Sequence, residues 1–199
     1  LPLLWFGLYE NAETRNNRAF ESARSPSPDS YSVGRWQPAV DQADYEMIVG
    51  RVKDYLARGH TYQINYTFPL HAAFDGEPLA FFADLATAQP TEYAAFIDTG
   101  RFAVCSISPE LFFRLDGEQL SAKPMKGTAA RGRTLAEDEA RIAELRRSEK
   151  NRAENLMIVD MLRNDLGRVA RVGSVTVPRL FEVERYPTLL QMTSTVTAQ

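Results

Sequence analysis

The stretch FAVCSISPELFFRLDGEQLSAK, residues 102–123, decides the fold class of this sequence. It contains three short segments with strand character, over residues 102–107, 111–115 and 119–123, and the turn signal Asp116-Gly117 joins the last two. Strand-like segments joined by a short Asp-Gly turn are typical of an antiparallel hairpin. We therefore expect consecutive antiparallel strands in this stretch.

The helical part of the sequence begins directly downstream. From Thr134 apolar residues recur at helical spacing as far as Arg163, and Thr134 and Glu137 have the separation of a capping box. A break is expected near Ser148, and Gly167 is expected to end the block. A helical block therefore follows the strand block.

Strand character returns after this helical block. Runs of strand-forming residues cover residues 172–177, 180–186 and 189–198, and Pro178 and Pro187 separate them. Blocks of strands and blocks of helices, without regular alternation between the two, are typical of an α+β fold. We therefore predict an α+β fold with large antiparallel sheets and peripheral helices.

The first ninety residues carry weaker signals. The expected elements are a strand over residues 3–9, a helix that begins at Asp41 or Asp44 and ends at Gly59, a strand over residues 62–74 and a helix over residues 78–88. The opening strand carries no chemical motif, and we expect the helix that follows Asp41 or Asp44 to be structural.

Composition excludes several classes of protein. Of the 199 residues, 44% are hydrophobic and 25% are charged, so the chain can bury the core of one globular domain. The net charge of −3 gives no electrostatic reason to expect binding to nucleic acid or to an anionic membrane. Cys105 is the only cysteine and cannot form an internal disulfide, which favours a reducing compartment. We predict a soluble, cytoplasmic protein that acts on small molecules.

Lys126 is the most informative candidate for chemistry. It stands in Lys123-Pro-Met-Lys-Gly-Thr128, which we expect to be a loop because it contains Pro124 and Gly127. A partly desolvated lysine loses proton affinity and can act as a base or an amine nucleophile near neutral pH. The alternative interpretation is a solvated loop lysine without a chemical role.

Two glutamates are further candidates. Glu110 follows Pro109 between two expected strands, and a carboxylate at such a junction is either a general acid or base or a solvated turn residue. Glu154 shares a helix face with Ile158 and Met161, an apolar stripe that we expect to point inward. A carboxylate on such a stripe needs a partner, such as a divalent cation or an arginine.

Five motifs in this order resemble the chorismate-utilising enzymes, a family that includes anthranilate, aminodeoxychorismate, isochorismate and salicylate synthases. The motifs are Tyr62-Gln-Ile-Asn65, Ser108-Pro-Glu110, Pro124-Met-Lys-Gly-Thr128, Arg152-Ala-Glu-Asn-Leu-Met-Ile-Val-Asp160 and Arg163-Asn-Asp165. The resemblance is dense over residues 62–199 and faint before Asp41. It implies one incomplete chorismate-binding domain over residues 1–199, in which a strand and loop region over residues 1–40 precedes the first part of the catalytic domain.

Three positions imply the aminodeoxychorismate synthase branch of this family. Lys126 stands where that branch has lysine and where most other members have alanine. Gln63 stands near the position of the lysine with which other members activate water, and Gln191 stands where anthranilate synthases have histidine. The implied reaction is amination of chorismate at C4 to give 4-amino-4-deoxychorismate, on the way to para-aminobenzoate and folate.

The resemblance also implies roles for individual residues. Lys126 is implied to attack C2 of chorismate, and Glu110 to be the general acid that protonates the departing 4-hydroxyl. Glu154 is implied to be one ligand of a Mg²⁺ ion that holds the ring carboxylate. The residues implied to bind the substrate are Gly127, Thr128 and Gln63.

Some parts of the family pattern do not occur in this sequence. Members of the family continue into a Thr-Gly-Ala-Pro-Lys segment, a later Tyr and Arg pair and a second magnesium glutamate, so we expect a fragment that is inactive alone. Ammonia is expected to come from glutamine through a glutamine amidotransferase subunit. Two alternatives stay open: an anthranilate synthase with an atypical lysine, and a catalytically incomplete module that binds a glutaminase.

Overall fold

The computed structural model describes residues 30–199. The chain divides into two compact units, residues 1–80 and residues 81–199. The strand expected over residues 3–9 lies outside the described residues, and the expected single chorismate-binding domain stays a prediction. Within residues 30–199 there is no helix with the length and apolar character needed to cross a membrane.

The first unit contains one long helix and two small antiparallel strand pairs. These elements are α1 Gln42–Ala57, β1 Tyr31–Val33 paired with β4 Phe74–Gly76, and β2 Gln37–Pro38 paired with β3 Leu70–His71. Asp41 caps α1, because its carboxylate accepts a hydrogen bond from the backbone N–H of Asp44 at 2.8 Å. Gly59 follows the helix with a φ of +70°, which confirms the expected end of the helix.

The prediction of a strand over residues 62–74 is wrong for most of its length. Residues 62–69 have no ladder partner among the described residues. The rings of Tyr66 and Phe68 pack against Tyr45 of α1 instead, at centroid distances of 6.0 and 5.9 Å. The alternation of apolar residues in this segment therefore reflects packing on a helix. A segment that packs in this way and a half-buried strand can have the same alternation, so the sequence pattern does not distinguish them.

The second unit is built on a five-stranded antiparallel sheet. The elements from the unit boundary onward are α2 Pro78–Ala88, β5 Tyr93–Asp98, β6 Ala103–Ser108, β7 Leu111–Asp116, β8 Gln119–Lys123, β9 Met125–Ala130, α3 Leu135–Arg147, α4 Glu149–Gly167, β10 Thr176–Arg185 and β11 Leu189–Ala198. In the main sheet β10, β11, β8 and β7 lie side by side in that order, and β9 also pairs with β11. A separate hairpin contains β5 and β6. The predicted α+β class with antiparallel sheets is confirmed.

Residues 102–123 form three strands, as expected, but in two different sheets. β7 and β8 make the hairpin that Asp116-Gly117 closes, and Gly117 has the positive φ, +57°, of such a turn. β6 pairs with β5 and not with β7. The chain therefore changes sheets at Pro109-Glu110, between β6 and β7.

The helical block is divided where the sequence indicates. Thr134 caps α3 by accepting a hydrogen bond from the backbone N–H of Glu137 at 3.2 Å. Ser148 ends α3 and also caps α4, through the backbone N–H of Asn151 at 3.3 Å. Gly167 is the last residue of α4. Both the break at Ser148 and the end at Gly167 are confirmed.

Strand β11 forms the centre of this unit. Leu190, Met192 and Val196 have no exposed surface, and the polar residues Thr193 and Ser194 between them are equally buried. Two core clusters lie on this strand. The first contains Val159 and Leu166 of α4 with Ala122, Val196 and Ala198, and the second contains Ile142 and Leu145 of α3 with Leu190 and Met192.

The two strands expected over residues 172–177 and 180–186 are a single strand, β10, that begins at Thr176 and runs through Pro178. The expected break at Pro178 is wrong because β10 is an edge strand of the sheet, where a residue without an N–H can be accommodated. Two register shifts accompany it, one on each side of Arg179. Phe181 has a φ of +58° beside the second shift.

Candidate active site

Pro124 connects β8 and β9 in one line along β11. The first residue of β9, Met125, faces Thr193 and so continues the register that β8 has on β11. Proline has no N–H to donate at this point, but its carbonyl accepts a hydrogen bond from the backbone N–H of Ser194 at 3.1 Å. The expectation of a loop over residues 123–128 is therefore wrong, because the segment continues the sheet.

Lys126 and Gly127 form a bulge in β9. Met125 pairs with Thr193, and Thr128 pairs with Gln191. The two residues between Met125 and Thr128 on β9 therefore lie opposite the single residue Met192 on β11. Gly127 has a φ of +95°, a backbone conformation that favours glycine. Bulges change the direction in which side chains leave a strand. Lys126 therefore stands at the one irregular point of β9.

The two lysines of this segment have different surroundings. Lys123 Nζ lies 2.5 Å from Glu184 Oε1 and is largely buried. Lys126 is half-buried, and its ammonium has no hydrogen bond or ion pair with the described residues of the second unit. Lys126 is thus the lysine of the motif that can contact a ligand. Both sequence interpretations, a nucleophile and a solvated lysine, are compatible with this placement.

Glu110 is hydrogen-bonded to the residue before Lys126. Its Oε1 accepts from the backbone N–H of Met125 at 3.2 Å. Its own backbone N–H donates to Ser108 Oγ at 3.2 Å, which fixes the turn between β6 and β7. The side chain is exposed and lines a cleft of about 330 Å³ whose other walls include Pro124 and Ile158. A carboxylate so anchored keeps a constant position relative to the bulge.

Gly127 allows helix α4 to approach β9. A Cβ at this position would lie 3.1 Å from Asn151 Cβ and 3.3 Å from Leu145 Cδ2, closer than ordinary van der Waals contact. Asn151 lies three residues before Glu154, on the neighbouring turn of the helix. The absence of a side chain at Gly127 therefore brings the helix that carries Glu154 next to the bulge that carries Lys126.

Glu154 lies at the border of the buried face of α4, and its side chain is 37% exposed. The inward stripe predicted through Ile158 and Met161 is wrong, since Met161 is 56% exposed. The buried face instead passes through Asn155 and Val159, one position further along the helix. Spacing alone gives the period of a helix face but not its phase.

Among the described residues, the carboxylate of Glu154 has one weak competing partner. Lys150 Nζ lies 3.8 Å away and its side chain is 81% exposed. Among residues 30–199 there is no group of three or more acidic, histidine or cysteine side chains that could hold a metal ion. Because Mg²⁺ is commonly held by one or two carboxylates together with water and substrate oxygens, Glu154 fits the role of a single ligand.

Thr128 is paired across the sheet with Gln191. Its Oγ1 donates a hydrogen bond to Gln191 Oε1 at 2.7 Å. The sequence singled out both residues, for different reasons, but gave no sign that they meet, because strand register over such a separation has no local signal. The bond fixes the orientation of the Gln191 amide beside the bulge.

Gln63 belongs to the first unit, whereas the five other predicted site residues belong to the second. Its Nε2 donates to Asn65 Oδ1 at 2.9 Å. Its Oε1 is buried and has no hydrogen-bond partner within residues 30–199. The role of Gln63 in substrate binding stays a prediction.

A cluster of polar groups beside the bulge was not predicted. The carboxylate of Glu184 accepts hydrogen bonds from Tyr186 Oη and Thr193 Oγ1, each at 3.0 Å, and pairs with Lys123. Burial by itself would raise the pKa of Glu184, but these three donors outweigh it and hold the pKa below the ordinary value. Burial, together with the charge of Glu184, raises the pKa of Tyr186. The cluster links the end of β8, at Lys123, to β10 and β11.

Comparison with known proteins identifies relatives of the chain. The family model described as chorismate binding enzyme matches residues 7–199. Aminodeoxychorismate synthase component 1 of Escherichia coli K12 is 39% identical over 175 residues, which are 88% of this chain and 39% of the relative. Aminodeoxychorismate synthase of Streptomyces griseus is 44% identical over 160 residues, 80% of this chain and 22% of the relative. The chain thus spans less than half the length of these relatives.

Two solved structures have a similar fold. Anthranilate synthase component I from Streptococcus pneumoniae TIGR4 matches 92% of this chain with a TM-score of 0.77 and 27% identity, over 41% of its own chain. An isochorismate synthase, DhbC, from Bacillus anthracis matches 87% of this chain with a TM-score of 0.68 and 19% identity, over 48% of its own chain. The second likeness concerns the fold alone.

Proposed function

The chain belongs to the chorismate binding enzyme family, and we propose that it carries the nucleophile and the general acid of an aminodeoxychorismate synthase. The proposed reaction replaces the C4 hydroxyl of chorismate with an amino group, and gives 4-amino-4-deoxychorismate and water. The observation that carries the proposal is Lys126 in the bulge of β9, one residue after the backbone N–H that anchors Glu110.

The two residues divide the chemistry between them. The neutral amine of Lys126 attacks C2 of chorismate, the two ring double bonds shift, and the C4 hydroxyl takes a proton from Glu110 and leaves as water. Ammonia then attacks C4, the double bonds shift back, and the bond between C2 and Lys126 breaks. Glu110 removes a proton from the incoming ammonia and is ready for another cycle. The sum of these steps consumes chorismate and ammonia.

The contacts of Glu110 suit a group that must gain and lose a proton. One carboxylate oxygen is held by the N–H of Met125, and the other has no hydrogen-bond partner among the described residues. The free oxygen lies in a cleft with largely apolar walls. An anchored carboxylate with one free oxygen can present its proton to a leaving hydroxyl without reorientation.

Glu154 is proposed to bind Mg²⁺ together with water and substrate oxygens. The bound ion would neutralise the ring carboxylate of chorismate and so favour attack by an amine on the ring. The surroundings of Glu154 support this role, because within the described part of the chain the one cation that pairs with its carboxylate is the exposed Lys150. The approach of α4 to Gly127 supports placing that charge near Lys126.

The ammonia source is proposed to be a glutamine amidotransferase subunit or domain. Hydrolysis of glutamine by a nucleophilic cysteine requires a cysteine that is paired with a base. The sequence offers only Cys105, which lies in β6, and burial raises the pKa of its thiol. A cysteine with a raised pKa is a poor nucleophile, so a separate glutaminase is the better candidate. The product would serve para-aminobenzoate and folate synthesis, in the cytoplasm.

An anthranilate synthase is the second candidate, because the Streptococcus pneumoniae anthranilate synthase component shares the fold at 27% identity. Product analysis separates the two. The protein in its natural length, given chorismate, ammonium and Mg²⁺, should release a 4-amino product that keeps its enolpyruvyl group. Release of anthranilate and pyruvate would contradict the proposal and support the second candidate. Mass spectrometry of the reaction mixture distinguishes the products.

A further inference from the structure

Ser194 contacts three different elements of the second unit. Its backbone N–H donates to the carbonyl of Pro124 at 3.1 Å. Its hydroxyl donates to Asn155 Oδ1 at 2.6 Å, and the same oxygen accepts from the backbone N–H of Phe181 at 3.1 Å. One residue of β11 therefore binds the junction of β8 and β9, helix α4 and strand β10.

Among residues 30–199, Ser194 provides the one side-chain hydrogen bond of Asn155. Asn155 is fully buried, and its Nδ2 has no hydrogen-bond partner within residues 30–199. Loss of the Ser194 hydroxyl would leave the whole amide without a partner in the interior. Buried polar groups are rarely left in that state, so α4 would turn or shift until the amide reached water.

A second contact joins the same turn of α4 to β10. The guanidinium of Arg152 lies 5.0 Å from the centre of the Phe181 ring. The backbone N–H of Phe181, in its unusual positive φ, is held by Ser194. Glu154 lies between Arg152 and Asn155 in the sequence of α4. The turn of α4 that carries Glu154 is thus bonded to Ser194 directly through Asn155, and it also contacts Phe181, the residue of β10 whose backbone Ser194 holds.

We propose that Ser194 is a positioning residue that sets the distance between the Lys126 bulge and the carboxylate of Glu154. Its backbone N–H holds the residue before β9, and its hydroxyl fixes the rotation of α4. Neither Ser194 nor Asn155 touches the substrate in this proposal. The inference rests on the proposed function of Glu154 and Lys126, and it adds the residue that couples their positions.

The coupling itself is tested by amide hydrogen exchange. Ser194→Ala keeps the backbone bond to Pro124 and removes both bonds of the hydroxyl. Exchange in peptides from the Glu154 turn of α4 should become about tenfold faster, the effect on local opening of losing the bond to Asn155. Because the same helix packs on Gly127 through Asn151, exchange in β9 should become faster with it. Ser194→Thr, which keeps a hydroxyl, should restore protection. Faster exchange in only one of the two segments would overturn the coupling.

Metal affinity tests the consequence for Glu154. Binding of Mn²⁺, a spectroscopic substitute for Mg²⁺, is measured by electron paramagnetic resonance on the protein in its natural length, without chorismate. Ser194→Ala should weaken the binding about tenfold, the lower range for residues that orient a metal ligand. Unchanged affinity in Ser194→Ala would overturn the positioning role.

A matched control is available on the same strand. Thr197 shares a hydroxyl hydrogen bond with Thr176 at 2.9 Å on an exposed part of β11 and β10. Thr197→Ala should change neither Mn²⁺ affinity nor exchange in α4. Should Ser194→Ala fail to fold, Ser194→Cys keeps an unbranched side chain with a weaker donor and should fall between wild type and the expected alanine result.

The two proposals fail in different ways. A wild-type protein that binds no Mn²⁺ and forms no amino product contradicts the proposed function, and the positioning of a metal ligand falls with it. A wild-type protein that binds Mn²⁺ and aminates chorismate, with the same affinity in Ser194→Ala, contradicts only the role of Ser194. The exchange measurement gives its answer on the coupling in either case.

Discussion

The carboxylate of Glu110 accepts a hydrogen bond from the backbone N–H of Met125 at 3.2 Å, so the proposed acid is attached to the strand that carries the proposed nucleophile. Glutamine at position 110 can still accept this bond but cannot supply a carboxylic proton. Glu110→Gln should therefore lower turnover by about a hundredfold or more with little change in melting temperature. Steady-state assays with chorismate and ammonium check this expectation. Glu118→Gln, at an exposed ion pair with Arg171, is the control.

Lys126→Ala should lower turnover by several orders of magnitude, because the amine that attacks C2 is lost. High ammonium concentrations are expected to restore part of the rate by direct attack. Lys150→Ala removes an exposed lysine and should leave turnover nearly unchanged when Mg²⁺ is saturating. Intact-mass analysis with chorismate but without ammonium should show an adduct on the wild type and none on Lys126→Ala. A fully active Lys126→Ala variant would remove this residue from the mechanism.

Glu154→Gln should raise the Mg²⁺ concentration needed for half-maximal activity, because a neutral amide is a poorer ligand for a hard cation than a carboxylate. Titration of activity with Mg²⁺ measures the effect. Glu149→Gln provides a control in the first turn of the same helix. If the Mg²⁺ curves of Glu154→Gln and wild type coincide, Glu154 is not a ligand.

Gly127→Ala should destabilise the protein by about 2 to 4 kcal/mol, because both the backbone conformation and the space oppose a side chain. The φ is +95°, and the new Cβ would press on Asn151. Gly100→Ala separates the two effects, since its φ is also positive, at +74°, but nothing lies within 4 Å. It should cost about 1 to 2 kcal/mol. Equal losses in chemical denaturation would show that the contact with α4 is unimportant.

The acid stability of the protein should depend on Glu184. Its pKa is held below the ordinary value of 4.5, so its ionised form stabilises the folded state above that pH. This contribution is lost as the pH falls below 4.5 toward the folded pKa. Glu184→Gln should therefore show a shallower loss of unfolding free energy than wild type in that range. Identical pH slopes for variant and wild type would contradict the assignment.

Local signals in the sequence were sufficient for the helices of the second unit. Thr134 and Ser148 are caps whose bonds reach only three residues along the chain, so the residue types alone indicate the ends of the helices. The candidates Lys126 and Glu110 were also identified from the sequence, through their motifs. Their roles in catalysis stay predictions.

Long-range contacts were not accessible in this way. The bond between Thr128 and Gln191 depends on the register of β9 against β11, and the ion pair of Lys123 depends on where β10 places Glu184. Neither register has a local signal, because alternation fixes only which residues share a face. The face of α4 was misplaced by one residue for a related reason, since several turns of the helix carry apolar residues on more than one side.

The two edges of the main sheet should behave differently when the protein is concentrated. Along β10, Pro178 and the two register shifts interrupt the row of free backbone groups, so a second strand finds no regular template there. Within residues 81–199, β7 contains no proline, and its pairing with β8 has one register shift. Phe112 and Leu115 of β7 are exposed. Self-association of the chain is therefore expected to begin at β7, and charged substitutions for purification belong on that strand.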